Sequence, residues 1–207
     1  MKKINELKSA LQDAAFITAR DERALAVTAV LERAFSNLKY HPILVGGGAV
    51  EVYTQGQYAS GDLDYILPTT LEIQKIMKTL GFIQGGRLFI HEPFELVIEF
   101  PASQLSAEEK FKEIIYQNIP IRIISAEDLV IDRLNAFKWG KSTFDAQNVL
   151  FILDKKECDL KLIVKKAKKH AVYDALKALL NLREKIKTED LNPTQATDLL
   201  EKLIRKF

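Results

Sequence analysis

Between Ile43 and Leu67 the chain reads ILVGGGAVEVYTQGQYASGDLDYIL, and this stretch constrains the fold more than any other. The apolar run Ile43 to Val45 predicts a buried strand that ends abruptly in Gly46, Gly47 and Gly48. Glycines at a strand end let backbone N–H groups approach an anion closely, because no side chain intervenes and unusual dihedrals are tolerated. The residues that follow, Ala49 to Tyr53, can start a helix whose N-terminal end favours a phosphate. Asp62 and Asp64 lie two apart in a second strand pattern, so their carboxylates project from one face while Leu63 and Tyr65 point to the other. Two like charges so placed repel unless a cation lies between them. Hard oxygen ligands facing one way suit Mg²⁺, which fills its remaining positions with water and phosphate oxygens. For two aspartates at a strand start to meet glycines at a strand end, the two strands must run antiparallel. Either half of the pattern alone also has a plain reading, the glycines as a tight turn and the aspartates as a solvated edge.

The combination VGGGAVEVY followed by SGDLDYIL resembles the glycine turn and Asp-x-Asp core of the DNA polymerase β-like nucleotidyltransferase superfamily, in the small bacterial branch that includes the AbiEii-type toxins. The likeness extends loosely through about Asp145. It implies transfer of a nucleotide from an NTP, with Mg²⁺ held by Asp62 and Asp64 and the phosphates held by Gly46, Gly47 and Gly48. Ser60 stands where relatives carry Ser or Thr before the first aspartate, where its hydroxyl can bond phosphate or simply close a turn. The superfamily places a third acid on a later strand. In FELVIEF, Glu95, Val97 and Glu99 share one face, so Glu99 is the first choice for catalysis and metal binding and Glu95 the rival. Glutamate in place of aspartate is a departure from the pattern, and a solvent-facing strand is the alternative. On the helix SAEDLVIDRLNAF, Arg133 stands where a lysine reaches the triphosphate, with Lys138 and Asp145 as further substrate-binding candidates. Arg133 can instead pair with neighbouring acids, and Asp145 can cap its helix.

The implied fold is α/β, a nucleotidyltransferase-like mixed sheet flanked by helices with a C-terminal helical segment. The expected division is residues 1–42 as N-terminal helices, 43–124 as the core and 125–207 as a helical region. Two helices are predicted over 4–38, with Asp21 capping the second, and Thr69 or Thr70 caps another that Gly81 ends. Strands are predicted at 82–84, 87–91, 94–100 and 120–124, with 103–114 as loop and a short helical turn. Trp139, beside Phe137, reads as a packing anchor or as a surface for a base.

Composition narrows the function classes. The 207 residues are 47% hydrophobic and 28% charged, the balance of a globular protein without disorder bias. A single cysteine, Cys158, excludes an internal disulfide, and three scattered histidines lack zinc-ligand spacing. No apolar run is long enough for a membrane span and the opening residues lack a signal-peptide core, so a cytoplasmic location is expected. Charge is uneven: residues 1–153 hold 16 Lys+Arg against 19 Asp+Glu, and 154–207 hold 14 against 9. Lys155, Lys156, Lys161, Lys165, Lys166, Lys168 and Lys169 can track the backbone of a tRNA or other RNA, or form an ordinary solvated face. A cognate antitoxin is a further expected partner. The alternative to an enzyme is a catalytically weak nucleotide- or RNA-binding module, as part of a toxin–antitoxin pair or on its own.

Overall fold

The computed structural model describes residues 2–155 and 158–207. The chain divides into two compact units, Met1–Ser125 and Ala126–Phe207. The first unit is a mixed α/β structure, as the sequence predicts, and the second is helical among its described residues.

The first unit opens with α1 (Lys2–Ala15) and α2 (Arg20–Phe35). The N-cap of α2 is Ala19, which has no side-chain capping bond, and Asp21 lies inside the first turn. The expected Asp21 cap is therefore corrected: an acid there still favours the positive helix end, but through the dipole. Next come β1 (Ile43–Val45), α3 (Gly46–Thr54), β2 (Leu63–Ile66) and α4 (Leu71–Leu80). Thr70 caps α4 through the Ile73 N–H, and Gly81 ends it at φ +108°. The strands β3 (Ile83–Gly85), β4 (Leu88–His91), β5 (Leu96–Glu99), β6 (Phe111–Tyr116) and β7 (Ile119–Ile124) complete the unit.

The seven strands form one sheet in the order β3-β4-β5-β2-β1-β7-β6. β1 runs antiparallel to β2 with Val45 opposite Asp64, as the site geometry demanded. It runs parallel to β7, and β2 runs parallel to β5 with Asp64 opposite Glu99. Alternation decides the faces. Leu63, Tyr65, Leu96 and Ile98 are buried, while Asp62, Asp64, Val97 and Glu99 between them are only half-buried. Helices α2 and α3 pack on the sheet, and α1 packs on α2 and α4. Leu11, Leu31, Phe35, Leu44, Tyr65, Phe89 and Ile98 are almost completely buried there, each aliphatic side chain contributing about 1.5–3 kcal/mol through removal from water.

Two expectations fail locally. Residues 111–116 form a strand where loop and helical turn are expected through 114: β6 pairs antiparallel with β7 around Gln117 and Asn118. Both turn residues have positive φ, +47° and +64°, as a two-residue hairpin turn requires. The segment 94–100 is strand only from Leu96, because Glu92–Phe94 forms a 3-10 turn that Glu95 ends at φ +50°.

The second unit contains α5 (Ala126–Gly140), α6 (Thr143–Asp154), α7 (Leu160–Lys169), α8 (Tyr173–Thr188) and α9 (Pro193–Ile204). Leu129, Leu134, Phe137, Val149, Ile163, Leu176 and Leu179 are its core. Inside it, Lys166 Nζ meets Asp128 Oδ1 at 2.6 Å, with only 15% and 5% of the two side chains exposed. Asn192 and Gln195 form a reciprocal capping box at the start of α9. Trp139 is 62% exposed, which corrects the expected packing anchor; Phe137, completely buried, fills that role. Among the described residues no helix is long and apolar enough to cross a membrane.

Candidate active site: an acidic triad at a glycine turn

β1 enters the site extended, with Val45 at φ −133°, and the chain reverses at Gly46, whose φ of +57° puts it in the left-handed region. The glycines do not precede the helix, as the sequence suggested, but open it, since α3 begins at Gly46. Their neighbours differ. A Cβ on Gly46 would lie 1.9 Å from Asp64 Oδ2, and one on Gly47 would lie 2.4 Å from Ser60 Oγ. A Cβ on Gly48 would strike Leu63 and Leu44 at 2.8 and 3.0 Å. Thus Gly46 and Gly47 border the polar site, whereas Gly48 lets the helix close on the core.

Three carboxylates converge on this turn. Asp62, Asp64 and Glu99 each offer an oxygen, and these atoms all lie within 4.8 Å of one another. The β2–β5 register brings Glu99 beside Asp64, and the pleat turns Asp62 to the same side. Glu95 is not in the cluster: it is exposed, in the left-handed turn before β5, so the shared face on which the two glutamates were rivals does not exist. Like charges this close fit a hard divalent cation between them. The absence of a side chain at Gly46 lets the Asp64 carboxylate lie directly against the bend, where a Cβ would collide with it. The residues present therefore fit Mg²⁺.

The surroundings hold the acids in place. Ser60 Oγ donates to the Asp62 main-chain oxygen at 2.6 Å and lies 3.2 Å from Asp62 Oδ1, so its hydroxyl closes the turn. Arg87 Nη2 lies 3.0 Å from Glu99 Oε1, with the arginine side chain 71% exposed and the glutamate 19%. Beneath Asp64, Tyr65 is completely buried and its hydroxyl lies 3.0 Å from Thr28 Oγ1. Burial pushes that phenol well above its ordinary pKa, with Asp64 and Glu51 adding to the effect. Glu51 of α3 is itself completely buried and accepts the Ser60 N–H at 2.6 Å. Burial raises its carboxyl pKa despite that bond and the charges of Arg23 and Arg20.

Sequence reasoning missed Arg87 and Glu51. Glu51 was visible as the one charge in the apolar run Ala49 to Tyr53. Arg87 becomes visible only through the register that sets its neighbour Leu88 against Glu99.

In the second unit the remaining candidates are engaged with acids. Arg133 is paired with Asp132 and, at 2.8 Å, with Asp145. Burial alone would lower the guanidinium pKa, but the two carboxylates outweigh it and raise it. Lys138 Nζ donates to both Asp174 oxygens at 2.7 and 2.8 Å and to the Ala171 carbonyl. The cap of α6 is Ser142, whose hydroxyl accepts the Asp145 N–H. Of the basic run, Lys166 is committed to Asp128 and Lys168 lies over the Tyr173 ring, while Lys156 lies outside the described residues.

No family model matches the sequence, and no curated protein matches it. Among solved structures, the solution structure of the antibiotic-resistance factor ANT(2'')-Ia, described as revealing substrate-regulated conformation dynamics, is similar to this chain. The alignment covers 80% of this chain and 98% of that one, at 14% identity and a TM-score of 0.46. At that distance the likeness carries no argument, and function is read from the geometry.

Proposed function

We propose that the chain is a Mg²⁺-dependent nucleotidyltransferase that moves NMP from an NTP to an acceptor hydroxyl. The observation that carries this reading is the convergence of the Asp62, Asp64 and Glu99 oxygens at the Gly46 bend. The reaction joins the acceptor oxygen to the α-phosphorus, breaks the bond to the bridging oxygen and releases pyrophosphate. Mg²⁺, when bound, supplies charge neutralisation at the phosphoryl oxygens and at the entering and leaving oxygens. Asp62, Asp64 and Glu99 would hold it. Gly46 and Gly47 give the phosphates backbone within reach, and Glu99 is the carboxylate assigned to take the acceptor's proton. Positioning and electrostatics are the whole of what such a transfer asks of a protein.

In this reading residues 43–124 bind the nucleotide, and the acceptor is the end of a tRNA, another RNA, a protein side chain or a small alcohol. The toxin-like role, a cognate antitoxin and a cytoplasmic setting belong to the same proposal. The second reading, a nucleotide- or RNA-binding module with little catalysis, is favoured by one contact, the Arg87–Glu99 ion pair that engages the third acid.

One experiment decides between them. The protein is incubated with each α-labelled NTP, Mg²⁺ and total cellular RNA or protein. Label entering a macromolecule, and lost in Asp62→Asn and Asp64→Asn variants that remain folded, supports the transferase. Nucleotide binding without transfer from any NTP supports the binding module, and transfer undiminished in the double variant contradicts the site.

A further inference from the structure

Glu51 is out of place energetically. A carboxylate removed from water is costly unless its oxygens are satisfied. Glu51 has no exposed surface, and its Oε2 has no hydrogen-bond partner among the described residues. It lies on the same short helix that the glycine turn opens. Its side-chain hydrogen bond runs toward the loop that leads into β2, while the charges of Arg23 and Arg20 act on it from α2. The Glu51 carbonyl accepts the Gly56 N–H at 2.9 Å, and its Oε1 accepts the Ser60 N–H at 2.6 Å. The two bonds pin both ends of the 56–60 segment to α3. Ser60 in turn stands between the halves of the site, its Oγ pressed against Gly47 on one side and bonded to Asp62 on the other.

We propose that Glu51 is a positioning residue, which fixes Ser60 and through it sets the Asp62 carboxylate against Asp64 and Glu99. It touches neither nucleotide nor cation. The inference rests on the metal-site reading of Asp62, and it assigns the loop before β2 an anchor outside the acid cluster. What the anchor must supply is an oxygen acceptor for the Ser60 N–H. A glutamine retains that acceptor, and an alanine does not.

The test is titration of the full chain with Mn²⁺, with free ion followed by electron paramagnetic resonance, alongside thermal melts. Partners bonded to a metal ligand typically change ion affinity about 10–100-fold, and Glu51 acts through such a partner, so Glu51→Ala is expected to weaken Mn²⁺ by about tenfold, the low end of that range, while Glu51→Gln stays within about threefold of wild type. Ser60→Ala keeps the bond from its N–H to Glu51 but loses the hydroxyl contact with Asp62, and it is expected to weaken Mn²⁺ as well. A folded Glu51→Ala variant with wild-type affinity overturns the proposal, as does a Glu51→Gln variant as impaired as the alanine. If Glu51→Ala fails to fold, Ser60→Ala carries the test, and unchanged Mn²⁺ binding there overturns it. Asp62→Asn separates the two levels of inference. If it leaves Mn²⁺ binding unchanged, the metal site itself is wrong; if it weakens binding and Glu51→Ala does not, only the role of Glu51 falls.

Discussion

Replacing Gly46 by alanine adds one methyl group, and the structure says where it must go. The new Cβ would lie 1.9 Å from Asp64 Oδ2 and 2.7 Å from its Cγ, about 1.5 Å inside the 3.4 Å at which ordinary contact begins. Asp64 cannot stay where it is. The residue at 46 would also hold φ near +57°, which costs a non-glycine residue roughly 1–2 kcal/mol. On a chain of this size that corresponds to a fall in melting temperature of about 2–8 °C. If Asp64 holds the metal as proposed, displacing its carboxylate by more than 1 Å should cost about 100-fold or more in transfer rate, because misplacement on that scale has effects of that order. The assay pairs thermal melts with Mn²⁺ titration and labelled-nucleotide transfer. Gly61→Ala is the control: Gly61 also lies beside Asp62, yet nothing lies within 4 Å of a Cβ built there, so it should change little. A Gly46→Ala protein that binds Mn²⁺ and turns over like Gly61→Ala would refute the claim that this bend and Asp64 share one site.

Two further outcomes follow from buried charge. Lys166→Met removes the 2.6 Å counter-charge of Asp128, 5% exposed, and should lower stability in urea unfolding by up to about 3–5 kcal/mol, with part of the loss recovered when Asp128→Leu is added. Because burial raises the Glu51 pKa above 4.5, ionised Glu51 costs stability at neutral pH, and that cost is relieved as pH falls through the raised value toward 4.5. Glu51→Gln should therefore gain stability relative to wild type at pH 7 and lose that advantage by pH 4.5, a trend that melts in parallel buffers would show or exclude.

The frame of the site was legible in residues 43–67 because its signals are local. An apolar triplet, a run of glycines and period-two aspartates each fix a backbone state, and together they called for antiparallel strands, which the structure aligns with Val45 opposite Asp64. Choosing between Glu95 and Glu99 was beyond such reasoning. Parity put both on one face, and only the turn at Glu92–Phe94, with Glu95 left-handed, takes one of them out. β6 escaped for a related reason: the polar run before it masked its alternation, and the positive φ at Gln117 and Asn118 is a property of the hairpin. Arg133 and Lys138 show the limit of carrying roles across a resemblance. Their charges suit a triphosphate, yet inside their own unit they already face Asp132, Asp145 and Asp174.

Nucleotidyl transfer at this site requires that the three acids hold a divalent ion. Crystals soaked with Mn²⁺ and a non-hydrolysable NTP, with data collected at the manganese absorption edge, test this directly. An anomalous peak bounded by Asp62, Asp64 and Glu99, with the triphosphate against Gly46 and Gly47, is the predicted result. Saturating Mn²⁺ with no peak there, and Glu99 still paired with Arg87, would contradict it.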